Sequence, residues 1–172
     1  MLDLLLTRRS IRKFQDKKIE KEKVDIIVKS ALLSPSSRNR KPWEFVVVTD
    51  KELLKKLSRC REHSSQFLEG APLGIVVIAD PEVCDVWIED TSIAAIIIQL
   101  TAHSLGLGSC WVQVRERMHS DSKKAEVYIR ELLGISDKYK VECIIGIGYK
   151  GEDKEAHDAS KLPFDKVHYE RF

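Results

Sequence analysis

Residues 90–107 read Asp90-Thr91-Ser92-Ile93-Ala94-Ala95-Ile96-Ile97-Ile98-Gln99-Leu100-Thr101-Ala102-His103-Ser104-Leu105-Gly106-Leu107. The run Ile96–Ile98 alone fits a strand as well as a helix. Its length, an Asp90-Thr91 cap and Gly106 as a stop signal favour a helix. Few of its side chains are charged on any face, and a helix apolar all round is buried all round. Burial by a second subunit is one way to achieve that. A helix sandwiched within one chain is the other.

On either side of this stretch, the pattern alternates between helices and strands. Leu2, Leu4, Leu5 and Leu6 predict a short helix ending near Arg8. Residues 20–34 space Val24, Ile27, Val28, Ala31 and Leu32 as a helix, which Ser34-Pro35 should end. Trp43–Thr49 is β-branched and strand-like. Asp50 is placed to cap a helix over Lys51–Arg61. Gly74–Ala79 and Tyr139–Tyr149 are near-continuous apolar runs, the pattern of strands covered on both faces. Trp111–Val114 is a short strand candidate. Ser122–Leu133 is amphipathic and should end at Gly134. Phe164–Phe172 regains apolar character and suggests a last, partner-seeking strand. Without a strict strand–helix–strand rhythm, the class expected is α+β, in a single domain over residues 1–172.

The chain has 172 residues, 43% hydrophobic and 33% charged. Lys+Arg 29 against Asp+Glu 27 leaves a net charge of +2, which argues against nucleic acid as a partner. No apolar run reaches the ~20 residues of a membrane span. The amino terminus places apolar residues before its charges, the reverse of a secretory signal. Cys60, Cys84, Cys110 and Cys143 are widely spaced and read as buried, reduced thiols. A cytoplasmic setting is expected.

Three stretches carry candidate chemistry. Arg8-Arg9-Ser10-Ile11-Arg12-Lys13 offers guanidinium forks and a hydroxyl that suit a phosphate and polyol tail, or simply a solvated basic face. Pro35-Ser36-Ser37-Arg38-Asn39-Arg40-Lys41-Pro42 is a loop between two prolines, able to present several hydrogen bonds or to act as plain turn chemistry. Gly106-Leu107-Gly108-Ser109-Cys110-Trp111-Val112-Gln113 lets backbone approach a neighbour closely, or ends the helix. No phosphate-binding glycine loop of either common type is present. The five histidines share no metal-ligand spacing, so no metal is expected. No serine nucleophile elbow occurs. Asp90 beside Glu89 is accounted for by capping, and His103 by burial in the core.

Taken in order, RRSIRKF (8–14), PSSRNRKPWEFVVV (35–48), a long apolar helix ending LGLGSCW (105–111), IIGIGY (144–149) and LPFDKVHYERF (162–172) resemble the nitroreductase family of flavin enzymes. The resemblance spans nearly the whole chain. It implies an α+β fold, a central mixed or antiparallel sheet flanked by helices, and an intertwined homodimer with flavin mononucleotide (FMN) at the subunit interface. It implies that Arg8, Ser10 and Arg12 contact the phosphate, ribityl chain and ring edge, with Arg9 adjacent. Pro35, Ser36, Ser37 and Asn39 would reach the flavin from the other subunit. Trp111, Val112 and Gln113 would line the ring near its reactive nitrogen. Lys161 would grip the phosphate where relatives commonly have arginine, and the tail would lie as an arm over the partner.

The implied activity is an FMN-dependent oxidoreductase. NADH or NADPH delivers a hydride, and a nitroaromatic, quinone or similar small acceptor takes the electrons at the same face by a ping-pong mechanism. Three departures bear on the substrate face: Lys41 where glutamine is frequent, Gln113 where glycine or an acid is frequent, and a Glu62–Gln66 stretch without the usual ring-edge Asn and Lys. They leave open a non-catalytic FMN carrier or sensor. A plain oligomeric module without flavin is the remaining class.

Overall fold

The computed structural model describes residues 1–172. Four strands form one antiparallel sheet. They are β1 (Trp43–Val48), β2 (Leu73–Ala79), β3 (Leu107–Gln113) and, last in sequence, β6 (Lys140–Tyr149), in the order β1-β2-β6-β3. A two-residue-wide ribbon pairs β4 (Met118–Ser120) with β5 (Lys123–Lys124) beside it. Five helices complete the chain: α1 (Leu2–Thr7), α2 (Lys21–Leu32), α3 (Lys51–Leu57), α4 (Trp87–Ser104) and α5 (Ala125–Leu133).

β2 and the middle of β6 are buried at every residue because helices cover both faces of the sheet. On one face Ile27 and Ala31 of α2, and Ala95, Ile98 and Ala102 of α4, pack on Ile75, Val77, Cys143, Ile145 and Ile147. On the other, Leu54 and Leu57 of α3 and Ile129 of α5 pack on Val76, Ile78, Val112 and Ile144. The expected α+β sheet flanked by helices is what forms. Asp50 caps α3, its Oδ1 accepting the Leu53 N–H at 2.8 Å. Gly134 ends α5 in a left-handed conformation. No helix is long and apolar enough to cross a membrane.

Several boundaries move. α3 stops at Leu57 rather than Arg61, and α5 begins at Ala125 rather than Ser122. α4 begins at Trp87, so Asp90 and Thr91 are not its cap. Thr91 lies inside the helix and donates its hydroxyl back to Trp87 O at 2.7 Å. β3 runs Leu107–Gln113 rather than Trp111–Val114, and only Gly106 of the glycine-rich stretch stays in the turn. The expected final strand is absent. Phe164–Lys166 is a 3₁₀ turn, and everything from Asp153 to Phe172 is exposed.

α4 is not buried all round within the chain. Asp90, Thr91, Ala94, Ala95, Ile98, Gln99 and Ala102 face inward. Ile93 and Ile96 stand 39% and 36% exposed on the outer face. Leu2 and Leu5 of α1 are exposed too.

Candidate functional site

The basic segment is laid directly on β3. Ser10 bridges Ser109 in parallel, and the Ile11 N–H donates to Ser109 O at 3.0 Å. Ile11 is buried against Gly108, where an added Cβ would stand 2.8 Å from Ile11 Cβ. Of the two glycines in this turn, Gly106 takes the positive φ (79°) that ends α4, and Gly108 permits the close approach. Ser10 is half-buried while Arg12 is exposed.

The chain after β6 returns along the same segment and fixes its backbone. Glu152 Oε1 accepts the N–H groups of Arg12 at 2.6 Å and Lys13 at 3.2 Å. Those bonds, Arg12 first, hold the Glu152 carboxyl below the usual carboxylate range. Lys154 Nζ donates to Ser10 O at 2.7 Å. Arg9 Nη1 donates to Glu155 O. The guanidinium of Arg9 is therefore engaged within the chain, and Arg8 and Arg12 supply the free forks. Burial pushes the Cys110 thiol up, against the pull of Arg12 and Ser10 beside it.

Farther along β3, Trp111 and Gln113 share one face of the strand. The indole N–H of Trp111 donates to Gln113 Oε1 at 2.9 Å, and Gln113 Nε2 donates to Arg115 O at 3.1 Å. Gln113 Nε2 also lies 3.5 Å from Glu142 Oε1. The Gln113 amide is thus engaged inside the chain. Val112, between Trp111 and Gln113, is 1% exposed, and its side chain points into the core on the opposite face. Ser109 and Gln113 stand four residue steps apart on the strand, a span of ~13 Å.

The loop between α2 and β1 is held at a different place. Ser37–Asn39 forms a 3₁₀ turn, with positive φ at Arg38 (49°), Asn39 (56°) and Lys41 (51°). Ser36 Oγ accepts the Lys41 N–H, and Asp90 Oδ1 accepts the Ser37 N–H, both at 2.9 Å. Asp90 is buried, and its Oδ2 finds no partner within the chain, like Ser34 Oγ and Trp43 Nε1 at the two ends of the same loop. Pro35 and Asn39 are exposed at its tip. The basic segment docks at the other end of α4, where Thr7 Oγ1 meets His103 Nε2 at 2.8 Å. Along the helix from Asp90 to His103 this is ~20 Å. One chain does not gather the loop and the basic segment.

Lys161 is not gathered with them either. It lies on the exposed tail, its side chain 83% exposed, and its ion pair is with Asp158 at 3.6 Å. Sequence reasoning missed Asp90 as a tether, Glu152 and Lys154 as clamps, and Glu142 and Arg115 beside Gln113. Only Glu142 left a trace, as a lone acid in the middle of an apolar strand.

Comparison with known proteins now decides the lineage. The Nitroreductase family pattern matches residues 5–62 and 57–149. The chain belongs to the nitroreductase family. A solved structure from Clostridium difficile R20291, titled an FMN-dependent nitroreductase, is 57% identical, with both chains covered completely and a TM-score of 0.99. A protein of Archaeoglobus fulgidus, whose assigned name is NADH dehydrogenase/NAD(P)H nitroreductase, is 39% identical over 99% of this chain and 98% of its own. A solved Clostridium acetobutylicum structure named as an NADH oxidase is 32% identical, with 99% and 100% coverage and a TM-score of 0.88. The family match ends at residue 149, so Lys161 lies outside it.

Proposed function

We propose that this nitroreductase-family chain is an NAD(P)H-dependent flavin oxidoreductase with FMN as its cofactor, acting on a nitroaromatic, quinone or similar small acceptor. The observation that carries this reading is the Ser10–Ser109 bridge, which sets Arg8 and Arg12 at one end of β3 and Trp111–Gln113 at the other. The donor set suits FMN. Guanidinium forks and the Ser10 hydroxyl match a phosphate and polyol chain, and a half-buried indole matches a ring. The 57% identical FMN-dependent relative supports the same assignment.

When bound, FMN supplies the hydride chemistry between nicotinamide and acceptor. The chain supplies position and charge. Arg8 and Ser10 hold the phosphate and polyol end. Arg12, its backbone pinned by Glu152, would supply positive charge at the ring edge. Trp111 walls the ring. Reductant and acceptor use one open face in turn, which makes turnover ping-pong.

The partner is a second copy of the chain. The exposed apolar face of α4, with Ile93 and Ile96, and the uncovered Leu162, Phe164, Val167, Tyr169 and Phe172 of the tail support an intertwined homodimer. Packed antiparallel on α4, one protomer brings Pro35, Ser36, Ser37 and Asn39 beside the basic segment of the other. Lys161, carried on the tail, reaches the phosphate from there. Residues 1–172 act as one domain. The four thiols are unpaired, which supports a cytoplasmic setting.

The visible absorption spectrum of the purified protein tests this reading. Flavin bands, with one FMN released per chain, are expected, followed by NADH or NADPH oxidation that a quinone accelerates. A colourless protein that takes up no added FMN overturns it.

A further inference from the structure

β6 pairs with β2 in register from Leu73↔Ile147 to Val77↔Cys143, then slips, so that Ile78 opposes Val141 and Glu142 has no partner in β2. Glu142 is the extra residue of a β-bulge. On its other side the strand edge bends to match, and the N–H groups of Val114 and Arg115 both donate to Glu142 O at 3.1 Å. Bulges re-aim a side chain, often beside a functional site. Here the re-aimed group is a carboxyl 4% exposed, with Arg115 Nε 3.2 Å from Oε2, an ion-pair distance without hydrogen-bond alignment. Burying a charge in a strand otherwise made of Val, Cys, Ile and Gly is costly unless it is paired.

The acid has a directional effect on its neighbours. An indole N–H only donates, so the oxygen of the Gln113 amide must face Trp111. The carbonyl of Arg115 only accepts, so the amide nitrogen must face Arg115 and, beyond it, Glu142. The orientation of Gln113 is set by chemistry, and Glu142 is the anchor at its far end. Removing its side chain takes away the second acceptor at the amide nitrogen and the carboxylate beside Arg115, and leaves the amide held at that end by Arg115 O alone.

We propose that Glu142 is a positioning residue for the flavin site, which acts through Gln113 to hold the Trp111 indole at the wall of the ring. This rests on the flavin reading above, in which Trp111 lines the ring. Gln113, a departure from the family pattern, is then the middle of a relay and not a substitute ring contact.

The test is indole ¹H–¹⁵N spectroscopy of the protein with and without FMN, alongside FMN titration. In E142L the Trp111 indole signal shifts and its hydrogen exchange quickens, while Trp43 stays as in wild type. FMN binding weakens about tenfold, the scale of one buried hydrogen bond to a charged group. E142Q, which still accepts from Gln113, restores the Trp111 signal. Q113L removes the indole's acceptor directly and sets the size of the full shift, and E142A replaces E142L where the leucine variant does not fold. A Trp111 signal untouched in Q113L, or E142L and wild type binding FMN equally, overturns the proposal. A wild type that takes up no FMN, with the Trp111 response intact, overturns the flavin reading instead.

Discussion

Asp90 Oδ1 accepts the Ser37 N–H at 2.9 Å, and that bond ties the turn at Ser37–Asn39 to the first turns of α4. The carboxylate is buried, and its second oxygen has no partner in the chain. Three residues of the loop hold positive φ, a conformation non-glycine residues keep only when surroundings enforce it. Asp90→Ala leaves the Ser37 N–H without that acceptor, a loss of ~1–3 kcal/mol. FMN affinity is expected to fall roughly 5- to 100-fold. Asp90→Asn keeps an acceptor oxygen and falls less. Fluorescence titration of FMN into apoprotein reads both, and equal affinity in wild type and Asp90→Ala refutes the tether.

Acid should release the cofactor through Glu152. Its carboxyl is held below its ordinary value of 4.5 by the Arg12 and Lys13 N–H groups. A lowered folded-state value stabilises the clamp fully above that ordinary value, and the stabilisation fades as pH falls through the lowered one. FMN retention in wild type is expected to weaken over that acidic range. Glu152→Gln is expected to bind more weakly at neutral pH and to show a flatter acidic limb. Identical pH profiles for the two proteins count against the clamp.

Gly108→Ala places a methyl against Ile11, with three Ile11 carbons within 2.9 Å of it. Overpacking of this kind costs ~1–3 kcal/mol, and the displacement passes to Ser10 and Arg12 on either side. Thermal midpoint and FMN affinity should fall together. Ile11→Ala removes the opposing side chain, so the double variant should lose less than the sum of the two single losses. Additive losses in a thermal-unfolding cycle contradict the contact.

Ile96→Glu puts a charge on the exposed face of α4 without disturbing the buried one. Sedimentation is expected to show folded monomer, with native circular dichroism and FMN affinity down at least tenfold. A flavin-loaded monomer would mean that one chain builds the site alone.

Much of the architecture was legible because hydrophobic period is a local property. The runs at 43–49, 74–79 and 139–149 became β1, β2 and β6, and Asp50 and Gly134 capped and ended their helices as read. The tail misled because Phe164, Val167, Tyr169 and Phe172 are apolar without a strand to pair with inside the chain. Of the candidate site, the sequence singled out the basic segment and the strand carrying Trp111 by motif. Their clamps were not, because Glu152 and Lys154 sit in a polar stretch without periodicity.

The sequence by itself determined the central strands and the main helices, the family resemblance and which residue types could hold a phosphate. Those follow from side-chain chemistry and from spacing along one chain. Only the tertiary structure decided what each polar group is bonded to. Asp90 left the cap role for a loop over fifty residues away, Gln113 turned inward to Trp111 and Glu142, and Arg9 was taken by the carbonyl of Glu155. Hydrogen bonds are short-ranged and directional, so a partner distant in sequence is chosen by the packing of the sheet and its helices, down to a single bulge at Glu142.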